Sequence, residues 1–119
     1  MDINAFKTQI KETVVRSMLD FMSFDDEDCG FTKDDIDECE AILVKYLEAL
    51  DALVEPSDEE IMEQVKTVVL ALNELNEKTD YCMIETEERE AIWDVIQSSA
   101  VECGLTDPAD DITEQWRDW

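Results

Sequence analysis

Apolar residues along the chain recur at alternating spacings of three and four. This pattern is clearest from Phe31 to Val54, where Ile36, Cys39, Leu43, Tyr46, Leu50 and Leu53 fall on one face of a 3.6-residue helix. Thr32 can accept from the free amides of the first turn, Asp35 stands where a capping box puts its acid, and Phe31 can staple onto Ile36. Ile42, Val44, Leu47 and Val54 widen the apolar sector until only a stripe containing Lys45, Glu48, Asp51 and Glu55 suits water. A helix this apolar belongs inside a bundle or at a subunit contact.

The same period predicts a helix over about 4–22, with Asp2 as a cap and Ile3, Phe6, Ile10, Val14, Met18 and Phe21 on one face. Four consecutive acids and a glycine then bend the chain into the helix at 33–54. Pro56 ends that helix. Ser57 and Glu60 form a second capping box that opens a helix over 58–76 on Ile61, Val65, Val68, Leu72 and Leu75. The period lapses from Glu77 to Glu85 and restarts at Thr86, with Ile92, Trp93, Ile96, Ala100 and Cys103 lining a helix over 87–103. Gly104 followed by Leu105 is a left-handed stop. Asp107 and Pro108 offer the start of a short helix over 110–118 carrying Ile112, Trp116 and Trp119. Two tryptophans favour docking of this tail on the other helices, a partner-binding tail being the alternative.

The expected fold is therefore all-α: one domain over 1–119, an antiparallel up-down four-helix bundle with a short extra C-terminal helix. No apolar run approaches the length that crosses a bilayer, and the N-terminal segment lacks the apolar core and cleavage site of a signal peptide. A cytoplasmic protein is expected.

Charge changes this picture. The 119 residues carry a net charge of -24. Residues 1 to 22 are neutral, since Asp2, Glu12 and Asp20 balance Lys7, Lys11 and Arg16, so the whole excess lies beyond them. Counterion release cannot favour nucleic acid, and anionic membranes repel such a chain. A basic protein would be attracted, and Asp25, Asp26, Glu27, Asp28, Asp34 and Asp37 are the candidate contact residues. Solubility alone is the plainer account of the acidity. The wide apolar sector of the 33–54 helix adds a homodimer as a further expectation.

Candidate chemistry is sparse. The sequence has no histidine, which removes the commonest general base, the usual partner of a serine or cysteine nucleophile, and histidine-bearing di-iron sites. Cys29, Cys39, Cys82 and Cys103 form no C-x-x-C and read as small thiols of a reducing compartment. From Asp25 the sixth residue is Gly30, as in an EF-hand, but Ile36 stands where the bidentate glutamate must be. Glu59, Glu60 and Glu63 on one helix, with Glu90 and Asp94 on the next, form an E-E-x-x-E and E-x-x-x-D pattern. This pattern resembles the magnesium-binding signature of the all-α nucleotide pyrophosphohydrolases. That resemblance implies a magnesium-dependent hydrolase acting on nucleoside triphosphates, with those five acids as ligands. Read without it, Glu60 is a capping-box acid and Glu59 a first-turn acid, both stabilising without metal. The preferred expectation is a non-catalytic acidic protein with no cofactor, similar in composition and fold to helical immunity proteins, inhibitors and DNA mimics.

Overall fold

The computed structural model describes residues 1–24 and 30–119. The acidic connection at Asp25, Asp26, Glu27 and Asp28, with Cys29, lies outside the described residues. The first rod begins at α1 (Ile3–Ile10), where the Asp2 carboxylate accepts from the Ala5 amide at 3.1 Å. It continues through a π-helical segment (Lys11–Val15) into α2 (Arg16–Phe24). The wide turn has a cause in the sequence. Phe6, Ile10, Val14 and Met18 are spaced by four throughout, and in an α-helix each such step drifts by about 40° around the axis. A turn closed by an i→i+5 bond, here the Arg16 amide donating to the Lys11 carbonyl, absorbs that drift. All four side chains are consequently buried on one face.

Helix α3 (Lys33–Asp51) opens on the expected capping box, with the Asp35 amide donating to Thr32 and the Thr32 amide to Asp35. Phe31 and Ile36 are both buried, as a hydrophobic staple requires. The helix stops at Asp51 and does not reach Val54. Glu55 precedes Pro56, which disfavours helical backbone, and adopts a left-handed φ of 47°. Val54 is consequently exposed. Helix α4 (Asp58–Lys78) opens on the Ser57–Glu60 box and runs two residues beyond the expected end. Helix α5 (Thr86–Cys103) starts one residue before the expected one, with the Glu85 amide donating to Glu88 at 3.2 Å. It ends as anticipated on Gly104 at φ 122°, with the Leu105 amide reaching back to Ala100.

Among the described residues the secondary structure is helices and turns, and one hydrophobic cluster runs through all the helices. The first rod touches α3 and α5, α4 touches the same two, and α3 and α5 touch each other across the centre. Contacts between elements fix their relative placement. The Asp2 amide donates to Glu102, Gln9 to Asp94, and Ser17 to Glu88. Thr106 just past α5 bonds Asp58 at the start of α4, whereas Ile84 just before α5 bonds Asn76 near the end of α4. In the centre, the Tyr46 hydroxyl donates to the Ile96 carbonyl at 2.9 Å, and the Ser99 hydroxyl lies 3.1 Å from the Tyr46 oxygen. This pair satisfies polar atoms that burial would otherwise penalise.

The 79–85 connection carries part of the core, because Met83 and Ile84 are buried while Asp80 and Tyr81 take left-handed φ values of 58° and 60°. Gly30 leans on it closely. A Cβ at Gly30 would lie 2.7 Å from Cys82 Cβ and 2.8 Å from its sulfur.

The expectation of a C-terminal helix over 110–118 is corrected: residues 112–116 form turns. Asp111 accepts from the Thr113 amide at 2.9 Å and the Thr113 hydroxyl at 2.5 Å, and its other oxygen binds Arg117. Carbonyls are captured from outside the segment as well, since Gln97 donates to Ala109 at 2.8 Å and Asn73 to Trp116 at 2.8 Å. So short a helix is marginal, and side-chain bonds from α4 and α5 outweigh it. The tail is nonetheless docked, with Ile112 and Trp119 buried. No described helix is long and apolar enough to cross a membrane.

Candidate functional site

The acids named from sequence on α3 are at the surface. Asp34 and Asp37 are exposed, and Asp37 pairs with Lys33 at 2.6 Å. The rest of this face is largely matched by bases of the same chain. Lys78 meets Glu38 at 2.8 Å and Asp35 at 3.5 Å, and Lys11 meets Glu40 at 2.8 Å. The Thr32 amide, donating to the Asp35 carboxyl, holds that acid below its ordinary 3.8 despite some desolvation, and Lys78 adds to this. Hydrogen bonds to Asp37 and Glu38 raise Lys33 and Lys78 respectively. These exposed pairs contribute little stability each, but they remove net charge from the outward face of α3.

The five acids of the magnesium pattern are not brought together. Glu60 is engaged with Ser57, Glu59 and Glu63 are exposed, and Asp94 accepts from Gln9 at 2.9 Å and from Ser98 at 3.2 Å. Glu59 to Glu63 lie at the start of α4, the end that Thr106 meets. Glu90 and Asp94 lie toward the start of α5, the end next to Asn76. Among the described residues no three carboxylates or thiols are grouped to hold a metal ion.

Two of the described thiols, Cys39 and Cys103, sit where the thiolate is disfavoured. Cys39 is buried and its thiol is pushed up to about 12, chiefly by burial and then by Glu38 and Glu40. Burial also raises Cys103. Reactivity follows the thiolate, which both environments disfavour.

Sequence reasoning missed a groove of about 660 Å³ between the first rod and the start of α5. Its walls carry Glu12, Arg16, Asp20 and Phe21 from the rod and Glu87 and Glu88 from α5. Phe21 was expected in the core but is 40% exposed, its ring stacked on Phe31 at 6.0 Å between centroids. Glu88 is only 6% exposed. One of its oxygens accepts the Ser17 hydroxyl and the other the Glu85 amide, both neutral donors. Among the described residues, neither Glu88 nor Glu12, Asp20 or Glu87 takes part in an ion pair. The groove therefore differs from the α3 face: although Arg16 stands in its wall, none of these carboxylates is held in an ion pair among the described residues. The sequence showed a restart at Thr86 but not the Glu85–Glu88 capping box, and only packing against Ser17 buries the second acid.

No family model matches the chain, and no curated protein or solved structure matches it either.

Proposed function

We propose that this protein is a non-catalytic binding protein, an antiparallel up-down four-helix bundle that offers an anionic surface to a basic protein partner. The antiparallel order is supported by pairs that count in opposite directions: Asp2 with Glu102 and Ser17 with Glu88, and Lys78 with Glu38. The functional reading rests on one observation. The chain has a net charge of -24, and the bases found in ion pairs among the described residues are Lys11, Lys33, Lys78 and Arg117, which leaves most carboxylates facing water without a counter-charge. Such a field steers a basic partner into fast, salt-sensitive association and repels nucleic acid and anionic lipid.

The test is affinity capture of the whole chain from lysate of its source at low and high salt, followed by reconstitution with the purified partner. The expected result is a basic protein that binds stoichiometrically, with an association rate that falls as salt rises. Failure to recover a specific partner at either salt concentration would discard the reading.

A further inference from the structure

We infer that the groove between the first rod and the start of α5 is where a partner is held, and that its occupant is an arginine-bearing segment of a basic protein. This rests on the proposed function and assigns it a place.

Three features of the groove point to that occupant. The first is uncompensated charge in a concave setting. Glu12, Asp20 and Glu87 line the groove, and among the described residues none of them forms an ion pair, whereas Asp35, Asp37, Glu38 and Glu40 on α3 are each met by a lysine. Between low-dielectric walls such charges attract a cation more strongly than they would on a convex surface. The second is Glu88. A carboxylate 6% exposed that accepts from a hydroxyl and an amide is a buried acceptor with no ion-pair partner among the described residues. Taking a carboxylate out of water without an opposite charge is costly, and a guanidinium entering the groove reduces that cost. The third is Phe21. Its ring is 40% exposed and braced by Phe31, so one aromatic face is held rigidly at the groove wall. A guanidinium stacks on such a face and hydrogen-bonds carboxylates in its own plane at the same time, which an ammonium does less well. Arg16, also in the wall, disfavours a fully cationic filling and favours a segment in which arginines alternate with apolar residues.

The probe is a short peptide alternating arginine and leucine, titrated into the full-length protein by calorimetry in about 0.15 M salt, where charges beyond ~8 Å are screened. Its counterpart carries citrulline, the uncharged isostere, in place of arginine. The double variant Asp20→Asn, Glu87→Gln removes two groove charges, and Glu63→Gln, Glu74→Gln removes two from exposed positions of α4. Phe21→Ala removes the ring, with circular dichroism confirming that each variant is folded. The expected result is that the arginine peptide binds and the citrulline peptide does not. The groove variant and Phe21→Ala should each weaken binding about tenfold, while the α4 variant changes it less than about twofold. Equal losses in the groove and α4 variants would overturn the groove as the site and leave the general acidic-surface reading standing. No binding of the arginine peptide, even in low salt, would overturn both.

Discussion

Replacement of Asp111 by alanine and by asparagine separates two things this carboxylate does for the docked tail. One oxygen accepts the amide and hydroxyl of Thr113, a residue with no exposed surface, and the other binds Arg117, whose Nη1 in turn donates to the Trp119 carbonyl at 2.8 Å. The ion pair is about a quarter exposed on both sides, so its loss costs about 0.5–1 kcal/mol. Stranding the buried Thr113 donors costs more, about 1–3 kcal/mol. Asparagine keeps an oxygen for Thr113 and loses only the ion pair, which corresponds to a roughly two- to fivefold rise in tail opening. Alanine loses both, about 1.5–4 kcal/mol in all, a rise of roughly tenfold to several-hundredfold. Native-state hydrogen exchange of the amides over 112–119 and of the Trp119 indole N–H reads this opening directly. That indole N–H is itself buried and has no hydrogen-bond partner among the described residues, so it exchanges only when the ring leaves its pocket. If neither substitution raises exchange, Asp111 does not hold the tail; if both raise it equally, its bonds to Thr113 contribute nothing and the separation into two roles fails.

Acidification should release the same tail. Burial pushes the Asp111 carboxyl up, but the Thr113 and Arg117 hydrogen bonds together outweigh burial and hold it below the ordinary 3.8. The unfolded chain therefore binds the proton first as pH falls, so this stabilisation is full above 3.8 and disappears as pH drops through the folded value; exchange at 112–119 should rise over that window. Gly30→Ala should cost about 2–4 kcal/mol by urea denaturation, combining a left-handed φ of 88° with a Cβ that overlaps Cys82. A cost under about 0.5 kcal/mol would mean that the two connections are not packed together. Native Cys39 should resist iodoacetamide at neutral pH and react only on unfolding, because its thiol is buried and pushed up to about 12; mass spectrometry of the labelled peptides checks this. Added salt should raise the melting temperature, since screening relieves the self-repulsion of a net charge of -24.

Much of the molecule was legible in the chain alone because it depends on residues three or four apart. The capping boxes at Thr32 and Ser57, the cap at Asp2, the stop at Gly104, and the buried faces of α3 and α4 are all local consequences of side-chain type and period. The π-helical turn was also written in the sequence, in the unbroken fours from Phe6 to Met18, though that spacing passes for ordinary amphipathicity until the drift it implies is followed. Other features depended on contacts between residues distant in sequence. Asp107, Pro108 and the tryptophans suggest a helix, yet Gln97 takes the Ala109 carbonyl, and Asp111 and Asn73 take the Thr113 and Asp118 amides, that a helix would pair. Glu88 looks like one more surface acid, but Ser17, seventy-one positions away, closes over it. Phe21 continues an apolar face that the other helices do not cover and becomes a groove wall. Local order follows from neighbours along the chain, whereas burial, exposure and the removal of counter-charges are set by which helices meet, and no single segment carries that information.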